Sequence, residues 1–254
     1  MQNVFIDLLN ISITASYIII AVILFRIVFK KIPRKFICIL WGIAGLRLIM
    51  PFKFESIFSL IPSTETIPQN IVLSEKPAIT SGIPAINSIV NPVVEEVFMP
   101  EIGASVNPLQ IVTEIGAIIW LIGIFAIILY GVFSYLRLKK TVSTAVLLKE
   151  NVWQSENVSS PFILGFIKPK IYVPFSLGGE TAEYVVAHEN AHIRRKDHWI
   201  KPIGFLLLAV YWFNPLVWVA YILLCRDIEA ACDEKVIASM DGKSRQEYAS
   251  ALLD

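Results

Sequence analysis

Within five residues, His188-Glu189-Asn190-Ala191-His192, the chain sets two imidazoles around a carboxylate, and with His198 these are its three histidines. A spacing of four puts His188 and His192 on one helical face, one turn apart. Both can then reach a tetrahedral zinc at about 2.0–2.1 Å, while Glu189 falls just short of the metal, where it can take a proton from an activated water. The same spacing on a solvated surface helix would bind nothing. A third donor therefore decides the matter.

Two candidates exist. His198 follows His192 by six residues, the spacing of His-Glu-x-x-His-x-x-Gly-x-x-His, in which glycine lets the chain turn back to the metal. Arg195 occupies that glycine position, and a positive φ is costly for arginine. His198 is therefore expected at the helix end, against the last carbonyls or lipid headgroups, and off the metal. The second candidate is "CRDIEAACDEKV", residues 225–236, where Glu229 and Asp233 are four apart. Glu229 can complete a His188, His192, Glu229 zinc set, and Asp233 can accept the outer N–H of a ligand histidine. Cys225 and Cys232 share roughly that face, but two thiolates with two histidines would close the site to water, so both read as small buried residues. In this scheme Glu189 is the catalytic base. Arg245, Tyr248 and His198 are the candidates to stabilise an oxyanion.

These groups need elements to hold them. Acidic residues begin and basic residues end the stretch from about Glu180 to Asp197, as a helix dipole favours. Before it, "PFILGFIKPKIYVP" reads as two short apolar strands about a Gly165–Pro169 turn, either an edge beside a peptidase site that could receive an extended substrate or a small structural sheet covering a helix. Between the two motifs lies "WIKPIGFLLLAVYWFNPLVWVAYILL", residues 199–224. As one spanning helix it would carry Glu229 roughly 30 Å from His192. Asn214-Pro215 breaks it, since Pro215 lacks an amide donor and disfavours helix at Asn214. The expectation is a hairpin that dips into the membrane and returns.

The chain is 56% hydrophobic and 17% charged, with a mean hydropathy of +0.65, above what a soluble core of this size needs. Residues 115–136 carry no charge and read as a membrane span, as do 11–29 with Arg26 near one end; 36–50 is a shorter third candidate. No removable signal peptide is expected, so the first span stays. Lysine and arginine cluster in "KKIPRK" and "RLKK", whereas 52–108 has two lysines against six glutamates. The positive-inside bias then puts the N-terminus outside and the site at the cytoplasmic face. Three cysteines suggest no disulfide framework. Basic patches interleaved with aromatics are absent, so no nucleic-acid binding is expected.

The fold class expected is a mainly α membrane protein with a cytoplasmic α+β zinc peptidase domain, a small antiparallel sheet and a membrane-dipping helical hairpin. Its parts are residues 1–51, two spans with a basic cytoplasmic turn; 52–108, an irregular extracytoplasmic loop with a few short strands or helices; 109–138, a span; and 139–254, the peptidase, with the re-entrant hairpin at 199–225. A silent receptor or scaffold of the same fold is the alternative, although an intact base beside three ligands argues against it. A transporter would place its polar cluster at midplane.

"SPFILGFIKPKIYVP", "AHENAHIRRKDHW", "RDIEAACDEKV" and "RQEYASALL", in this order and around this hairpin, resemble the membrane metallopeptidases of the BlaR/MecR type. HtpX-type and CAAX prenyl proteases share the pattern more distantly. The resemblance implies a gluzincin-like, zinc-dependent endopeptidase of the bacterial cell membrane. It would transmit a signal by clipping itself and causing loss of a cytoplasmic transcriptional repressor. A protein substrate, membrane lipids and a second copy, as a homodimer, are the partners it suggests. Antibiotic-sensing members continue into an external penicillin-binding domain with a Ser-x-x-Lys nucleophile. No Ser-x-x-Lys occurs here, so the expectation is a chain lacking that C-terminal sensor, either truncated before it or a peptidase core whose sensor is lost, different or carried by another protein, and these residues carry no sign of β-lactam recognition.

Overall fold

The computed structural model describes residues 1–50, 66–74, 76–98, 107–177 and 179–238. Its elements are α1 (Gln2–Val28), α2 (Arg34–Ile49), a short 3-10 helix (Gln69–Leu73), α3 (Pro84–Phe98) and α4 (Pro108–Thr141). Then come strands β1 (Val146–Lys149), β2 (Val152–Ser155), β3 (Phe162–Leu164) and β4 (Lys170–Pro174), followed by α5 (Gly179–Arg195), α6 (Asp197–Val210) and α7 (Pro215–Ala238).

Two helices, α1 and α4, are long and apolar enough to cross a membrane. Along α4, Ile115, Ile119, Ile122, Phe125, Leu129, Phe133 and Leu136 are each more than half exposed, a surface that water would oppose and lipid would accept. α2 has 16 residues, about 24 Å of helix and short of the hydrocarbon thickness of roughly 30 Å. Part of the acidic loop is helical as well: α3 starts on Pro84, whose fixed φ and missing N–H suit the first helical position.

The chain divides into two compact units. The first comprises residues 1–28, 40–126 and 207–220, with Ile6, Ile71, Val72 and Leu109 forming an apolar cluster. It includes the break between α6 and α7. There the Asn214 side-chain amide donates to the hydroxyls of Ser12 at 2.8 Å and Ser16 at 2.9 Å, and its carbonyl oxygen accepts from the amide of Leu216 at 2.9 Å. Tyr211 donates to the Leu48 carbonyl at 2.8 Å. Polar groups at an apolar turn are thus satisfied by neighbouring helices.

The second unit comprises residues 29–39, 127–206 and 221–254 and contains the sheet. Strand order is β1-β2-β4-β3. β3 pairs antiparallel with β4, and β1 with β2, but β2 and β4 run parallel, Val152 opposite Ile171 and Ser155 opposite Pro174. The antiparallel sheet expected from the hairpin signal is therefore a mixed one. After β2 the chain crosses to the far edge before entering β3, so the β3–β4 hairpin docks by its second strand and β4 follows the direction of β2. Central β4 is apolar on both faces: Ile171 and Val173 meet Val186 and Ile193 of α5, while Tyr172 packs with Val142 and Val158. Burial on both sides explains the run "KIYVP". It also fixes α5, because Val186 and Ile193, seven apart, lie on one helical face.

Candidate metal centre

With the sheet holding one face of α5, Ala191 turns toward Cys232 and Val236 of α7, and His188 and His192 are buried. Their rings meet edge to face at 4.7 Å between centroids, and their Nε2 atoms are 3.1 Å apart. From α7, Glu229 Oε2 lies 3.0 Å from His192 Nε2 and 3.6 Å from His188 Nε2. Donors bound to one tetrahedral zinc at 2.0–2.1 Å would be about 3.3 Å apart, so the three atoms form a triangle of fitting size.

The outer nitrogens explain why the lone pairs converge. His192 Nδ1 lies 2.7 Å from Asp197 Oδ2, and His188 Nδ1 lies 3.2 Å from Asp233 Oδ1. With each Nδ1–H donated to a carboxylate, both Nε2 atoms are acceptors facing a carboxylate oxygen, an arrangement that demands a cation. Burial opposes charge on His192, but Asp197, Cys232 and Glu229 outweigh it and push its pKa up to about 11. Burial also opposes ionisation of Glu229, yet hydrogen bonds from His188, His192 and Lys201 hold it far below the usual carboxylate range. A proton or a divalent metal can each answer that demand.

Lys201 and Asp197 were not singled out by the sequence. Lys201 Nζ lies 2.6 Å from Glu229 Oε1, which leaves Oε2 turned toward the imidazoles. Asp197 is 2% exposed and also accepts from Arg195 Nε at 3.1 Å. It gets there because the chain does turn after α5, at Lys196 with φ 62°, one residue beyond the Arg195 position weighed above. The turn returns Asp197 to His192 and starts α6. An aspartate opening a helix five residues after the motif was the available signal. Asp197→Asn is expected to weaken zinc binding roughly 10–100-fold, measured by competition with a chromophoric chelator. Unchanged affinity would remove Asp197 from the site.

The triangle opens on a cleft of about 280 Å³, lined by His192 and Glu229 themselves, by Glu189, His198 and Lys201, and by Phe162 and Ile163 of β3 with the preceding Pro161. Burial raises the pKa of Glu189, partly offset by the two imidazoles, so its carboxylate is a stronger base than a solvated one. His198 lies in the first turn of α6, at the cleft, with a buried Nδ1 that has no hydrogen-bond partner. It is thus neither at the end of α5 nor in the donor cluster. Arg245 and Tyr248 lie outside the described residues. Cys225 is only half-buried, against the expectation, and pairs with Tyr221, whereas Cys232 is buried and forms with His188 and His192 a group whose donor atoms lie within 4.8 Å of one another. A larger groove, about 640 Å³, follows the other side of α5 past Val186 and Arg194, and none of the donors lines it.

The family described as BlaR1 peptidase M56 matches residues 6–254. The chain is 28% identical over 158 residues to the regulatory protein BlaR1 of Bacillus licheniformis, covering 53% of this chain and 26% of that protein. It is 25% identical over 128 residues to the methicillin resistance mecR1 proteins of Staphylococcus aureus and Staphylococcus epidermidis, covering 47% of this chain and 22% of theirs. The matched part is thus about a quarter of the length of these curated relatives.

Proposed function

The chain belongs to the BlaR1 peptidase M56 family, and from that premise we propose that it is a membrane-embedded, zinc-dependent endopeptidase that signals by proteolysis. The observation that carries this reading is the triangle of His188 Nε2, His192 Nε2 and Glu229 Oε2, with Glu189 at the adjoining cleft. Zinc bound there would supply Lewis-acid activation of a water and of the scissile carbonyl. The rest is done by the chain's own groups. Asp197 and Asp233 keep the two imidazoles in the tautomer that leaves Nε2 free, and Lys201 occupies the second oxygen of Glu229. The Glu189 carboxylate takes the proton of the attacking water and passes it to the leaving amine nitrogen. An extended peptide can add to β3, which is the edge strand among the described residues and lines the cleft with Phe162, Ile163 and the preceding Pro161, so that the peptide carbonyl is aimed at the donors. His198, Arg245 and Tyr248 remain the candidates to steady the developing oxyanion.

Substrates on this reading are the chain itself and a cytoplasmic repressor, and the site faces the cytoplasm below a re-entrant α6–α7 hairpin. Newly formed peptide termini, compared between cells making the wild-type chain and cells making Glu189→Ala, should identify both. Identical sets of termini would sink the peptidase reading. The hairpin predicts a topology. α6 and α7 meet again where Gly204 admits Tyr221 and Leu224, and where Lys201 reaches Glu229. Cysteines placed at exposed Glu156 and Lys235 should therefore be labelled from the same, cytoplasmic side. Labelling from opposite sides would rule the hairpin out.

A further inference from the structure

The turn between β3 and β4 presents apolar side chains outward, and the backbone enforces it. Gly165 has φ +111°, and a Cβ there would stand 2.9 Å from the Lys168 carbonyl, so only glycine makes this tight a reversal. The turn leaves Ile167 87% exposed and Phe166 40% exposed, with Lys168 exposed next to them. Such a tip is costly in water.

Its surroundings are those of a membrane boundary. The Phe166 ring packs at a tilt against Tyr135, near the end of α4, with centroids 5.7 Å apart, and against Trp199, in the first turn of α6, at 5.9 Å. Tyr135 sits where the apolar stretch of α4 gives way to Arg137, Lys139 and Lys140. On either side of it along the helix, Phe133 and Leu136 are 64% and 55% exposed. Tyrosine and tryptophan collect at the headgroup level, and basic residues lie just beyond it. The tip is therefore continuous with the lipid-facing surface of α4.

We propose that the Gly165–Lys168 turn is a lipid anchor: Ile167 and Phe166 enter the headgroup boundary beside Tyr135 and Trp199, and Lys168 meets anionic headgroups. The proposal rests on the reading that α4 crosses the membrane. Because β3 both ends at this tip and lines the cleft, the anchor sets the depth at which the cleft opens.

The test uses the full chain in vesicles of phosphatidylethanolamine and phosphatidylglycerol containing a lipid with a photoactivatable diazirine close to its headgroup. Adducts are expected on the peptide holding residues 165–168 and on that holding the last turns of the α4 apolar stretch. Adducts on α4 with none on the turn would overturn the anchor, and adducts on neither would overturn the membrane reading with it. In parallel, an environment-sensitive dye on Ile167→Cys should shift to the blue on reconstitution and resist iodide, whereas the same dye on Glu156→Cys stays quenched, the unsubstituted chain giving the share of the native cysteines. Equal quenching at both positions would also overturn the anchor.

Discussion

Glu189→Gln is expected to retain one zinc per chain and to lose proteolysis by at least roughly 10²–10⁴-fold, the usual worth of a positioned general base. Glutamine has nearly the shape of glutamate but cannot take a proton, so it leaves the cleft intact while removing the acceptor. The donors have supports of their own, Asp233 at His188, Asp197 at His192 and Lys201 at Glu229, and the glutamine keeps the volume of Glu189 beside them. Zinc content and cleavage should therefore separate. Full proteolysis in the variant would refute the base assignment, and loss of zinc along with activity would make Glu189 a structural part of the centre.

The parts of this site that could be read from the chain are those set by helical periodicity. His188 and His192 share a face because four residues make about one turn, and Glu229 becomes reachable because Asn214-Pro215 interrupts an otherwise apolar helix, α6 ending at Val210 and α7 starting at Pro215. What escaped reading depends on backbone events without a composition signal. A left-handed lysine at 196 brings Asp197 to His192, and lysine is not a residue that advertises positive φ. Lys201 reads as a lone charge in an apolar helix until α7 is folded beside it. The parallel pairing of β2 with β4 follows from where a hairpin docks, which alternation within a strand does not encode. In the acidic loop, where short strands or helices were expected without a place, the scattered polar and proline residues, Pro92 among them, masked the length of α3.

The identity of the third donor has a measurable consequence, because two residues of α7 compete for it. Cys232 is fully buried and lies with both histidines in one donor group, and the two imidazoles pull its thiol pKa down although burial raises it. A thiolate beside two histidines is an acceptable zinc set. Against it, the Cys232 sulfur donates to the His188 backbone carbonyl at 3.5 Å, a contact that uses the thiol proton and ties the side chain to α5. Glu229 instead holds an ionised oxygen 3.0 Å from His192 Nε2, with Lys201 fixing the other. Glu229→Ala should therefore cost more zinc affinity than the roughly 10–100-fold lost when a supporting group is removed, and should abolish cleavage. Cys232→Ser, nearly isosteric and able to keep the bond to the His188 carbonyl, should hold zinc at wild-type stoichiometry. Metal analysis of the two purified variants distinguishes the sets. Zinc kept by Glu229→Ala and lost by Cys232→Ser would move the centre to His188, His192 and Cys232 and free Glu229 for a different role at the cleft.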